Sequence, residues 1–268
     1  MTHISLCWID FYKWSTVRCL AELESKISDK RTALVVTPNP EMLHEASRDT
    51  ELQEVLQQAD YALPDGAGIF VAYQIQASTL PAILKYATLP YWCLRAIIHS
   101  ASFRKQYGER ITGAALTKEL LRYAQERRIP VTVIDPVVHG NTSGDQAKRQ
   151  SQLCIKEKIL EHFPDLDITV IVSDKVPHDI VHHGIIFATH GNGKQEKLLA
   201  HIREKTPDCG LLLGVGGSID LITGFRASAP RFFQKFGGEW LYRLIKNPRR
   251  HAKRMKKVIL FLMSCLTQ

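Results

Sequence analysis

Short apolar, β-branched runs recur along the chain, at 33 to 37 (Ala-Leu-Val-Val-Thr), 131 to 135 (Val-Thr-Val-Ile-Asp), 168 to 172, 184 to 189 and 210 to 215. Runs this short with few polar interruptions predict strands buried on both faces. Between them, the stretches at 40 to 58, 66 to 77, 114 to 128, 144 to 162 and 194 to 205 carry the spacing of amphipathic helices. Buried strand alternating with amphipathic helix predicts a parallel sheet with helices on its faces, an α/β, Rossmann-like body. The segment 78 to 108 breaks the rhythm with Pro81, Pro90 and Tyr91-Trp92, and is expected to form a lid or insertion over the site. Strand periodicity ends near Gly224, which divides a body at 1 to 224 from an appendage at 225 to 268.

Charge sharpens that division. Of a net charge of +8, the stretch from Arg226 to Lys257 holds eleven Lys or Arg against one acid, Glu239, leaving the remainder near −2. The nine apolar-rich residues that follow, 258 to 266, would extend roughly 14 Å as a helix, about half the hydrocarbon thickness of a bilayer. They are too short to span it. A basic helix with an apolar end suits an anionic membrane surface; the alternative is a solvated basic helix whose end packs on the body or on another subunit. Nucleic acid is not expected as a partner, because no reader motif accompanies the charge. The start of the chain lacks a basic region followed by a long apolar run, so no signal peptide is read and a cytoplasmic location is expected. Six scattered cysteines without a C-x-x-C pair point to reduced thiols, with neither a disulfide framework nor a zinc ribbon.

In open α/β sheets ligands bind beyond the carboxyl ends of the strands, so polar turns after apolar runs are the first candidates. Four qualify. Thr37-Pro38-Asn39-Pro40 offers hydrogen bonds on a rigid turn, or serves only as a helix cap. Leu63-Pro64-Asp65-Gly66 places a carboxylate on a tight turn, or is only a turn. The segment from Thr189 through His190-Gly191-Asn192-Gly193 to Lys194-Gln195-Glu196 feeds a helix N-terminus, where anions are favoured. Gly214-Val215-Gly216-Gly217-Ser218-Ile219-Asp220 suggests a nucleotide turn without the full G-x-G-x-x-G spacing. Asp165-Leu166-Asp167 imitates a metal-binding pair but precedes a strand, the wrong end for a site. His178, Asp179, His182 and His183 also precede a strand and read as a solvated face.

Together with Arg110-Ile111-Thr112-Gly113 and the tail motifs Gly237-Gly238-Glu239-Trp240-Leu241-Tyr242-Arg243-Leu244 and Pro248-Arg249-Arg250, these turns resemble the WecG/TagA/CpsF family of glycosyltransferases over roughly residues 33 to 254. The resemblance implies an inverting transfer of N-acetylmannosamine, or a related sugar, from a UDP donor to a polyprenyl-diphosphate-linked acceptor in cell-surface polymer assembly. By it, Asp65 is the general base, Thr37, Asn39 and Gln195 orient the sugars, and Arg110 is a cation near the reacting groups. Gly214, Gly216, Gly217 and Asp220 form the nucleotide-side turn. Arg243 and Arg250 balance the leaving diphosphate without a metal or other cofactor, with Arg249 and Arg254 as neighbours that share the task. The protein is then peripheral on the inner face of the membrane, and a homo-oligomer when off it. The chain departs from the family pattern at Ala115, Asp135-Pro136, Gly193 and Gly238. Those departures keep open a different UDP-sugar, such as UDP-glucose, or a non-catalytic relative that binds nucleotide sugar or membrane.

Overall fold

The computed structural model describes residues 3 to 29, 31 to 98, 111 to 136, 145 to 177, 183 to 206, 208 to 230, 233 and 239 to 266. In chain order its elements are β1 (His3–Leu6), β2 (Ile9–Tyr12), α1 (Thr16–Ser28), β3 (Ala33–Val36), α2 (Pro40–Ala46), α3 (Thr50–Gln57), β4 (Tyr61–Ala62), α4 (Ala67–Ala77), α5 (Ala82–Ile98), α6 (Gly113–Arg127), β5 (Val131–Asp135), α7 (Asp145–Leu160), β6 (Ile168–Val172), β7 (Gly184–Ala188), α8 (Lys194–Lys205), β8 (Gly210–Gly214), α9 (Ser218–Ile222), α10 (Glu239–Lys246) and α11 (Pro248–Ser264). Every predicted buried run is a strand.

Six strands form one sheet in the order β4-β3-β8-β7-β5-β6, and all its ladders are parallel. Because side chains alternate along a strand, each strand feeds two layers. Leu34, Val36, Ile134, Ile186, Ala188 and Leu212 pack toward α2, α3, α4, α8 and α11. Ala33, Val35, Val133, Ile185, Phe187 and Leu213 pack toward α1, α6, α7 and α9. The fold is therefore an α/β/α sandwich of the expected Rossmann-like class. At the β5–β7 boundary, the chain leaves β5 toward β6 on one side and β7 toward β8 on the other, a topological switch that opens a crevice at the carboxyl edge.

One expectation is revised, and two segments gain detail. The predicted helix at 40 to 58 is two helices: the first closes at Ser47, and Asp49 recaps the second by accepting the Leu52 N–H at 3.1 Å. The hairpin of β1 and β2, not anticipated, brings Leu6, Ile9 and Phe11 into the first layer. Within 78 to 108, α5 packs on α4, and Leu89 and Trp92 rest partly buried on the first layer; residues 99 to 108 lie outside the described ones.

The tail divides its apolar end between two surroundings. Phe261, Leu262, Cys265 and Leu266 are buried in the first layer, where α11 packs on α2 and α4. Ile259, Leu260 and Met263 are exposed at 46%, 36% and 38%. Packing on the body thus accounts for one face of the segment and leaves a second apolar face outward. Burying each of the large inward side chains contributes about 1.5–3 kcal/mol, which fastens the appendage to the body. Among the described residues no helix is long and apolar enough to cross a membrane.

The sheet closes most tightly where β8 begins. A Cβ at Gly210 would lie 2.2 Å from the Gly184 carbonyl oxygen, and φ there is +85°. Gly224 has a similar φ of +76° but open space around it. Gly210→Ala is therefore expected to cost about 2–5 kcal/mol, from strain plus backbone overlap. Gly224→Ala is expected to cost about 1–2 kcal/mol. Urea denaturation of the two variants checks the difference; equal losses would remove close approach as the limiting factor.

Candidate active site

Parallel pairing places the ends of β3, β4, β5, β7 and β8 along one edge, and the four polar turns meet there. Thr37 follows β3 and is buried. Asn39 caps α2, its Oδ1 accepting the Met42 N–H at 3.0 Å. The β4 turn is strapped to this one by the Asp65 N–H donating to the Pro38 carbonyl at 3.1 Å. Gly68 completes the fit, since a Cβ there would stand 2.6 Å from Pro40 Cγ. Thr37, Asn39 and Asp65 therefore share one corner. The Asp65 side chain is half-buried and engaged within the chain.

Asn192 closes this corner from β7. Its side-chain amide faces that of Asn39, nitrogen to oxygen at 3.4 Å in both directions, and its Nδ2 donates to Glu41 Oε2 at 3.3 Å. Gly191 and Gly193, on either side, have φ of +80° and +79°. Such torsions suit glycine and let the loop turn sharply.

The second cluster is built around Gln195, only 3% exposed. Its Oε1 accepts the Gly216 N–H at 3.0 Å, and its Nε2 donates to Glu196 Oε1 at 2.8 Å. Gly214 has to be glycine for this brace, because a Cβ would lie 2.6 Å from Gln195 Nε2. Gln195 therefore shapes the 214 to 217 turn, and each end of its amide keeps one further hydrogen-bonding position beyond these two bonds. Around that turn, a Cβ on Gly217 would meet Arg226 Nη1 at 3.0 Å and Asp220 Oδ2 at 3.7 Å, so both polar ends border the glycine. A Cβ on Gly113 would stand 3.4 Å from Ser218 Oγ, which brings the start of α6 to the same turn. Arg110 lies outside the described residues. Arg243 and Arg250 sit on α10 and α11, with side chains outside the described ones. Arg254, expected to help balance the diphosphate, donates through Nε to Glu41 Oε2 at 2.6 Å.

Two groups at the switch-point crevice were not singled out from sequence as site residues. Asp135, buried at the end of β5, accepts from Thr189 Oγ1 at 2.8 Å. His190 Nε2 bonds the Ser173 carbonyl at 2.8 Å, while its Nδ1 is buried without a partner among the described residues. Burial holds the His190 ring below its usual range, against the Ser173 bond and nearby carboxylates. This favours the neutral imidazole with the proton on Nε2. Asp135 ends β5 and His190 stands two residues beyond the end of β7, so position at a strand's carboxyl end is the signal that could have found them. Among the described residues no group of three or more His, Cys, Asp or Glu is placed to hold a metal.

Glu196 is fully buried beneath the loop. It accepts the Gly193 N–H at 2.7 Å as well as the Gln195 amide. Burial pushes its carboxyl up to about 7, against the pull of these donors. Between the unfolded value near 4.5 and that folded value, the folded chain holds a proton the unfolded chain has released. Stability from this group is therefore expected to fall as pH rises through that window. Glu196→Gln should flatten the slope. Urea midpoints of both proteins at about pH 5 and about pH 7.5 check this; parallel pH profiles would refute it.

The model of the glycosyl transferase WecG/TagA/CpsF family matches residues 4–96 and 92–268. The N-acetylglucosaminyldiphosphoundecaprenol N-acetyl-beta-D-mannosaminyltransferase of Bacillus spizizenii (strain ATCC 23059 / NRRL B-14472 / W23) is 25% identical over 251 residues, covering 90% of this chain and 82% of the relative. The protein of the same name from Bacillus subtilis (strain 168) is 24% identical over 252 residues, with the same coverage. With both halves of the α/β body and the tail inside the matched span, the chain belongs to the WecG/TagA/CpsF family of glycosyltransferases.

Proposed function

We propose that this glycosyltransferase moves N-acetylmannosamine from a UDP donor to a GlcNAc-diphosphate-polyprenol acceptor, with Asp65 as the base. The observation that carries the reading is the strap between the Asp65 N–H and the Pro38 carbonyl, which brings the Asp65 turn against the turn that holds Thr37 and Asn39. The relatives' names supply the sugar and the acceptor class.

In this mechanism Asp65 takes the proton of the acceptor hydroxyl as that oxygen attacks the anomeric carbon from the face opposite the diphosphate. The bond to the diphosphate breaks, its electron pair leaves with UDP, and the anomeric configuration inverts. An ordinary carboxylate suffices, because the proton becomes acidic only as the new bond forms. Thr37 and Asn39 hold the sugars in line, so positioning lowers the barrier. The turn from Gly214 through Gly216 and Gly217 to Asp220 receives the nucleotide side, and Arg110 has the role of a cation for the reacting groups by resemblance to the family. Arg243 and Arg250 neutralise the departing charge in place of a metal.

Support for a membrane-bound acceptor comes from α11. An open groove of about 840 Å³ between α2, the first turn of α8 and α11 is lined by Arg48, Lys194, Lys197, Lys253, Lys256 and Lys257. Lys197 is paired with Asp49 and Glu51, and Lys257 with Glu41 and Glu45. Arg48, Lys194, Lys253 and Lys256 face the groove without an ion pair among the described residues. Burial first, then Arg48 and Lys257, hold the His44 ring below its usual range. Exposed Ile259, Leu260 and Met263 continue from this groove along α11. Cations beside an apolar strip match anionic headgroups over acyl chains, so we place the protein peripherally on the inner face of the cell membrane. Off the membrane, the strip is the surface for self-association.

Incubation with UDP-N-acetylmannosamine and a short-chain GlcNAc-diphospholipid is expected to release UDP, and Asp65→Asn to lower the rate by about 10²–10⁴-fold. Full activity of the variant removes Asp65 as the base, and release only from UDP-glucose reassigns the donor. For the membrane face, Lys253→Glu/Lys256→Glu and Leu260→Ser/Met263→Ser should each weaken sedimentation with phosphatidylglycerol vesicles at least about tenfold. Unchanged binding by both pairs would place the membrane contact elsewhere.

A further inference from the structure

Glu41 occupies the first turn of α2 and is 8% exposed, yet it takes bonds from two distant parts of the chain. From α11, Arg254 Nε donates to its Oε2 at 2.6 Å and Lys257 Nζ reaches its Oε1 at 3.5 Å. From the loop after β7, Asn192 Nδ2 donates to the same Oε2 at 3.3 Å. Asn192 also faces Asn39, which caps the helix on which Glu41 stands. A third tail contact, Lys257 to Glu45, reinforces the docked helix one turn along α2.

We propose that Glu41 is a positioning residue that couples the docking of α11 to the shape of the Asn39 and Asn192 corner. A carboxylate this buried needs charged partners to offset its lost hydration. Docked α11 supplies them, and the Arg254 bond fixes the direction of Oε2. That fixed oxygen is the acceptor for Asn192. Gly191 and Gly193 give the loop little stiffness of its own, so its shape depends on such anchors. When α11 lifts, Glu41 loses both cations and turns toward water, and Asn192 loses its acceptor. The tail thereby acts on the corner through a carboxylate as well as through any arginine it brings to the substrate. The importance of this coupling for catalysis rests on the function proposed above; the coupling itself does not.

The test uses the full-length chain without substrate. Amide hydrogen exchange is followed by mass spectrometry in the peptide spanning 190 to 194. Arg254→Met and Glu41→Gln are each expected to raise exchange there about tenfold, a size typical of coupled sites. The double variant is expected to exceed neither single one, because both cut the same link. Arg254→Lys, which keeps the charge, should return exchange most of the way to the parent value. Thermal melts identify any variant that has simply unfolded, and for such a case Lys257→Met serves as the milder cut, with a smaller rise expected. An unchanged loop in Arg254→Met, or additive effects in the double variant, overturns the proposal. In turnover, the single variants should lower kcat more than they raise KM for the UDP-sugar. Coupling seen in exchange without sugar transfer would sink the proposed function and leave this inference standing.

Discussion

Parallel pairing of six strands is the constraint on which the rest of this protein depends. A parallel neighbour can be reached only by crossing back over a face of the sheet, so every strand ends at the same edge. Turns separated by as much as 180 residues of sequence, from Thr37 to Gly217, are thereby brought together. Strand residues pointing to opposite faces need apolar cover on both sides, and the helices provide it. The turns at the carboxyl edge are bound to each other through their main chain, Asp65 N–H to the Pro38 carbonyl and Gly216 N–H to the Gln195 side chain.

That edge is held by a layer of buried polar side chains more than by apolar packing. Gln195 and Glu196 lie almost wholly out of water and spend their bonds on Gly193, Gly216 and each other. Such groups are costly to bury unless satisfied, and once satisfied they restrict the backbone to one arrangement. Glycines at 191, 193, 214 and 216 accept the torsions or close approaches that result. Rigidity here is of use to a transferase, whose base and acceptor gain from being held in line.

The tail joins this edge from outside the sheet. Its inward face is apolar and closes the first helical layer, and its polar face reaches Glu41 and Glu45. Lys253 and Lys256 border the groove between this helix and the body, and Ile259, Leu260 and Met263 are exposed. One helix thus contributes to core packing, to the corner around Asn192 and to the outer surface, so a change in its docking is felt at all three.

Much of this was legible in the residues. The five buried runs and the helices between them emerge from periodicity, because burial on both faces of a strand leaves an unbroken apolar signature. Asp65, Asn39 and the glycine turns were found because strand ends are where such a sheet exposes polar groups. Other features needed the tertiary structure. The break at Asp49 depends on a cap that competes with a continuous helical pattern, and the short β4 is too brief to register as a run. The bonds of Gln195 to Gly216 and Glu196 are not readable from the local pattern, and Arg254 and its partner Glu41 are 213 positions apart. Sequence by itself determined the class of fold and the residues available at its edge, since both follow from local pattern. Which polar groups meet one another, and which face of the tail turns inward, was decided only by the tertiary structure, because those contacts join segments whose local sequences carry no record of each other.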